Sequence, residues 1–187
     1  MRGFGRRSVR RLGTPIEPSP TSIDGRGERI PLVYRLVADD HGWPPVDAEK
    51  LWVAPQGHDL FRIDNIPFFV QNLAQGDVVR AVPVSGYLLP LSRVSWGGNR
   101  TVRIRPRPRG PIGEDLQVIF DLFVPLGVEA EGDPRHLLAA LNVPAPIDPT
   151  PIRELLQQGT SDGWWDHEES CVDPGWYRNE PARGAGT

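Results

Sequence analysis

Arg62-Ile63-Asp64-Asn65-Ile66-Pro67-Phe68-Phe69, followed by Gly76-Asp77-Val78-Val79, packs tight-turn chemistry and large apolar residues into one short run. Alternation puts Leu60, Arg62 and Asp64 on one face of a strand and Phe61, Ile63 and Asn65 on the other. The strand then has to stop. Asp64 and Asn65 can bond their own backbone, and Pro67 fixes its own φ while biasing Ile66 toward an extended conformation. A rigid corner follows, with Phe68 and Phe69 delivered just beyond it. Each ring, if buried, contributes about 2 to 3 kcal/mol by area. Asp64 and Asn65 have two readings: a structural corner that caps itself, which such residues usually serve, and the lining of a ligand site.

Outward from this run, the sequence on the N-terminal side and immediately beyond reads as short strands: Leu32 to Val37, Lys50 to Pro55, Leu60 to Asp64, Val78 to Pro83 and Tyr87 to Val94. Turn signals at Asp39 to Pro45, Gln56 to Asp59 and Ser85-Gly86 separate them. Closely spaced strands of this kind predict a small β-barrel, which removes exposed sheet edges. After residue 98 the period changes. Val102 and Ile104 alternate with Arg103 and Arg105, then Glu114-Asp115 opens a helix whose apolar stripe is Val118, Ile119, Leu122, Phe123 and Leu126, ended by Gly127. Two further strands are expected at Val128 to Glu131 and Leu137 to Val143. Asp148-Pro149 starts a second helix, Gly159 stops it, and Trp164 to Glu168 returns as a strand. The order β-α-β-β-α-β is that of a ferredoxin-like domain. The expected fold class is therefore α+β: a small β-barrel over 29–98, a ferredoxin-like domain over 99–171, and disordered tails at 1–28 and 172–187.

Composition agrees with many short elements. The chain of 187 residues holds 21 prolines and 20 glycines, which argues against a bundle of long helices. The net charge of -3 excludes a uniformly basic nucleic-acid binder but allows a local basic patch. The single cysteine, Cys171, excludes an internal disulfide and points to a reducing, cytoplasmic setting. No apolar run is long enough to span a bilayer, so no membrane association is expected. Arg2, Arg6, Arg7, Arg10, Arg11 and Arg26 make the N-terminal arm basic, a disordered tether at most.

Chemistry-bearing motifs are sparse. There is no P-loop, dinucleotide fingerprint, nucleophile elbow or cysteine pair, so no cofactor, metal site or catalytic residue is assigned. The strand through Val102 and Ile104 directs Arg103 and Arg105 to the sheet face opposite the helices, and an anion site there would use the guanidinium fork. The alternative is a solvated strand face. Asp166, His167, Glu168, Glu169 and Cys171 form the remaining cluster, but along a strand His167 and Cys171 lie too far apart to pair. His41, His58 and His136 fall at turns or strand starts and are expected to be exposed and without function.

From about Leu32 to Cys171 the chain resembles the uncharacterised bacterial family known as domain of unknown function 4265. The matching features are Glu49-Lys50-Leu51-Trp52, Ile63 to Phe69, Gly76-Asp77-Val78-Val79, Leu126-Gly127-Val128-Glu129 and Trp165 to Cys171. Where the family carries a Ser before a Val-Arg-Val strand, this chain has Arg100. The resemblance implies fold and extent and brings no activity with it. The functional expectation is a noncatalytic binding or regulatory module for a protein or peptide partner, toxin neutralisation included. An anionic small molecule or nucleic acid held by Arg103 and Arg105 is the alternative, and an enzyme using Asp64, Asn65 or the His167 to Cys171 region a third.

Overall fold

The computed structural model describes residues 29–177. The basic arm expected at 1–28 and the rest of the expected tail, 178–187, lie outside the described residues. Five strands build the first sheet: β1 (Ile30–Arg35), β2 (Ala48–Gly57), β3 (Leu60–Ile63), β4 (Val78–Val84) and β5 (Tyr87–Ser95). Each pairs antiparallel with the next. As the alternation requires, Phe61 and Ile63 turn inward from β3, joining Leu32, Leu51, Val53, Val79 and Leu88 in one core.

The five strands close on themselves, and what is corrected in the expectation of a small β-barrel is its regularity, because the seam is not a full ladder. The strands make a ring in which β1 and β5 meet through one parallel residue pair, Leu32 with Leu88, instead of a ladder. The ladders of β2 with β3 and β4 with β5 are each broken by register shifts. The cause lies in the strands themselves. β3 has four residues, and Pro31 and Pro90 each withdraw an amide donor from the strands that meet at the seam.

The second sheet contains β6 (Arg100–Pro106), β7 (Glu129–Asp133), β8 (Leu138–Val143) and β9 (Trp165–Cys171), in the order β7-β8-β6-β9. Helix α1 (Leu116–Phe123) and helix α2 (Thr150–Ser161) pack on one face of it. Asp115 caps α1 by accepting from the Gln117 amide at 2.9 Å, and Gly127, at φ 88°, ends the short 3-10 turn that follows the helix. The β-α-β-β-α-β succession expected of a ferredoxin-like domain is present, but the expectation that such a domain leaves one sheet face bare is corrected. The sheet is open, and β6 is buried at every residue except Arg105. Its second face is covered by the segment at 64–77 from the first sheet.

That segment is held by polar contacts from both sides. The buried Glu49 carboxylate accepts the backbone amides of Phe68, Phe69 and Val70 at 2.6, 2.9 and 2.7 Å. From β6, Arg103 donates to the Val70 carbonyl at 2.5 Å and the Thr101 hydroxyl to that of Leu73 at 3.2 Å. The Asn72 amide reaches the Ser170 carbonyl at 2.9 Å. Asp77, fully buried, accepts from Ala74, Gly97 and Arg93. Gly76 and Gly97 touch here. A Cβ on Gly97 would lie 2.3 Å from the Gly76 carbonyl carbon, so no side chain fits.

Two of the departures from the expected boundaries have a packing cause. Gly159 does not stop α2, which continues to Ser161. Its missing side chain instead makes room for the Trp165 ring, whose Cζ2 would lie 2.1 Å from an added Cβ. The stretch at 172–177, expected to belong to a disordered tail, forms a 3-10 turn at Pro174–Tyr177 with Trp176 fully buried and its indole donating to Glu169 at 2.7 Å. Its Asp173 pairs with Arg100 at 2.5 Å.

Two substitutions probe this construction. Glu49→Ala leaves three amides without their acceptor and is expected to lower unfolding free energy by about 3 kcal/mol or more, read from urea unfolding. Gly159→Ala forces the Trp165 ring out of its seat and is expected to cost about 1 to 3 kcal/mol in the same measurement, although alanine favours a helix more than glycine does.

Candidate functional site

The corner at Asp64 and Asn65 serves the backbone. Asp64 pairs with Arg29 at 2.6 Å, and its amide donates to the Trp52 carbonyl at 2.8 Å. Asn65 accepts from the Trp52 amide through Oδ1 at 2.7 Å and donates from Nδ2 to the Ile66 carbonyl at 3.3 Å. Asn65 nevertheless reaches a second setting, because its turn forms part of the wall of a cleft.

That cleft, of about 600 Å³, lies between the two sheets. β2 and the corner after β3 supply Lys50, Asn65, Phe68 and Phe69; the turn joining β7 to β8 supplies Asp133 and His136. Pro67 aims the two phenylalanines: Phe69 is buried, Phe68 half-buried. Phe69 meets Trp43 with ring centres 5.6 Å apart and the His136 ring edge-on at 5.4 Å. His136 Nδ1 lies 2.7 Å from Asp133 Oδ2. Asp133 also accepts from the amide, Nε and an Nη of Arg135. Burial opposes ionisation of Asp133, but the Arg135 and His136 hydrogen bonds prevail and hold its carboxyl below the ordinary range.

Sequence reasoning missed this half of the cleft, since His136 was expected to be exposed and without function. The signal was present as Asp133-Pro134-Arg135-His136, a hairpin turn dense in titratable groups. What no local pattern conveys is that this turn stands opposite Phe68 and Phe69.

Arg103 and Arg105 are on one strand but in different surroundings. Arg103 is 1% exposed, ion-paired to Glu168 at 3.0 Å and bonded to the Val70 carbonyl. Burial lowers its pKa from the ordinary arginine value, with the Glu168 carboxylate opposing that shift. The expected bare face is thus absent, because the 64–77 segment covers it. Arg105 is exposed beside a smaller cleft of about 170 Å³ that Asp166 and Glu168 also line. Those carboxylates compete with any anion there.

The Asp166 to Cys171 cluster is divided between layers. His167 Nδ1 lies 2.8 Å from the Thr160 hydroxyl on α2, and burial holds its pKa below the ordinary value. Cys171 instead approaches Arg93 of β5, with Sγ at 3.6 Å from the guanidinium. Burial first, then the Asp77 charge, pushes its thiol up. Tyr34 is raised to about 12 by burial and by the Asp77 and Glu49 charges. Among the described residues, no group of three or more His, Cys, Asp or Glu could hold a metal ion, and no helix is long and apolar enough to cross a membrane.

The His167 environment gives a pH prediction. Its folded pKa is depressed, so the unfolded chain binds the proton more readily and stability falls as pH drops below about 6.5 toward the folded value. Urea midpoints measured from pH 7 to pH 5 are expected to decline, and to decline less in His167→Gln.

The family described as Domain of unknown function (DUF4265) matches residues 49–167. No curated protein matches. A solved structure titled "Novel crystal structure of a hypothetical protein from Neisseria gonorrhoeae" is similar over 77% of this chain and 94% of that one, at 18% identity and a TM-score of 0.57. At that identity the likeness speaks to the fold alone. The matched span begins at Glu49, which anchors the 64–77 segment, and ends at His167 on β9, crossing both sheets; the chain belongs to the DUF4265 family.

Proposed function

We propose that this protein is a noncatalytic binding module that takes a short peptide segment of a partner protein into the cleft between its two sheets. The observation carrying this reading is the cleft itself: about 600 Å³, with the half-buried Phe68 on one wall and hydrogen-bonding side chains around it. This volume falls in the range of clefts that bury small ligands or a few peptide side chains. An aromatic wall with a polar surround is the anatomy of a recognition site.

The polar groups nearest the wall serve to hold it. Three amides occupy the Glu49 carboxylate, and Arg135 and His136 occupy that of Asp133. A general acid or base needs an open site toward its substrate, which neither carboxylate offers. Binding of anions or nucleic acid through Arg103 and Arg105 has less support, since Arg103 is engaged inside the protein.

A random heptapeptide library displayed on phage tests the proposal. Wild type is expected to enrich sequences that lose binding on Phe68→Ala and retain it on Trp96→Ala, a change at an exposed residue remote in sequence from the cleft. Enrichment that ignores Phe68, or no enrichment, would overturn it.

A further inference from the structure

From the hydrogen-bond inventory of the cleft we infer that the peptide it takes is acidic, presenting a side-chain carboxylate to Lys50 and Arg135 next to an apolar residue on Phe68. This rests on the proposed peptide-binding role and names the chemistry of its ligand.

Formal charge alone does not give this result, because the cleft wall holds both signs: Glu49 and Asp133 against Lys50 and Arg135. What differs is availability. The carboxylates are the side-chain acceptors with full charge, and both are turned to the protein's own donors. Glu49 is 7% exposed and accepts three amides. Asp133 accepts four contacts, two on each oxygen: the Arg135 amide and Nε on Oδ1, an Arg135 Nη and His136 Nδ1 on Oδ2. A carboxylate offers about four acceptor positions, so Asp133 is saturated and Glu49 nearly so. Asn65 Oδ1 is occupied by the Trp52 amide.

The donors are in the opposite condition. Lys50 is exposed and makes no ion pair among the described residues; its ammonium lies 5.4 Å from the centre of the Trp52 ring, a contact that leaves its N–H groups open. Arg135 is 83% exposed and directs only Nε and one Nη to Asp133, so further N–H groups of its fork remain. Asn65 Nδ2 uses one hydrogen on Ile66 and keeps another. His136 is held at Nδ1 by Asp133. A cleft whose charged acceptors are covered and whose cations are open recognises an acceptor-rich, anionic group. Phe68 adds the demand for an apolar neighbour.

The test uses the full-length chain and the same random heptapeptide library, selected in parallel on wild type and on the double variant Lys50→Gln/Arg135→Gln. Both residues are exposed, so the variant keeps the fold, verified by its urea midpoint. Wild type is expected to enrich Asp and Glu beside an aromatic or aliphatic residue, and the double variant to lose that acidic bias. A synthetic peptide of the leading sequence is expected to bind about tenfold or more tighter than its Glu→Gln counterpart, as a charge-assisted contact requires. Arg105→Gln at the other cleft is expected to leave that affinity unchanged. Phe68-dependent peptides that are neutral or basic would overturn the acidic preference while leaving the peptide site standing. The absence of any Phe68-dependent peptide would overturn both. Equal binding of the acidic peptide to wild type and the double variant would remove Lys50 and Arg135 as its receptors and overturn the inference.

Discussion

A strandless segment between two sheets carries backbone donors and acceptors that water cannot reach, and each must find a partner inside the protein. Here the segment at 64–77 meets that constraint through Glu49 on one side and Arg103 on the other. Glu49 takes the amides of Phe68, Phe69 and Val70; Arg103 takes the carbonyl of Val70. One residue, Val70, is thus gripped by a charge from each sheet. The relative placement of the sheets follows, and with it the cleft, because the corner delivering Phe68 is fixed at both ends. These contacts are directional, unlike apolar packing, so they specify a single seating.

This explains why charged side chains sit at depths usually left to aliphatic ones. Arg103 and Asp77 are nearly or wholly inaccessible. Each is tolerable because several bonds compensate its desolvation: Arg103 has Glu168 and a carbonyl, and Asp77 two amides and Arg93. The chemistry that looks like a binding motif in isolation is, at Arg103, the means by which two sheets are joined, and at Asp77 the means by which the segment is tied to β5 and to the turn after it.

The sequence made local elements legible and long-range covering illegible. Alternation in Phe61 and Ile63 and the spacing of Ile119 and Phe123 report which side of a strand or helix is buried, and those sides are buried. Asp115 and Gly127 mark the start of α1 and the end of the 3-10 turn after it through backbone preferences that act within a turn. By contrast, whether Arg103 faces water depends on a segment more than thirty residues away, since Val70 and Arg103 are separated by 33 positions. The seam at Leu32 and Leu88 is likewise nonlocal. For the cleft, the corner was legible and its opposite wall was not, because His136 gains its place from the β7 to β8 turn reaching Phe69 across the joint. Gly159 was read as a stop from its propensity, whereas its role is set by a ring six residues on.

The seat that Gly159 makes for Trp165 has one more consequence. The indole is fully buried, donates to the Leu156 carbonyl at 3.1 Å, and meets Trp164 edge-on at 5.6 Å and Phe123 at 5.7 Å. Helix and strand are thus joined as a lock and its key, and neither residue is free to drift in evolution without the other. Among relatives that keep α2 against β9, a bulkier residue at the glycine position should travel with a smaller one at the tryptophan position. The same enclosure makes this ring a natural optical gauge of the second sheet, shielded from water until α2 lifts away.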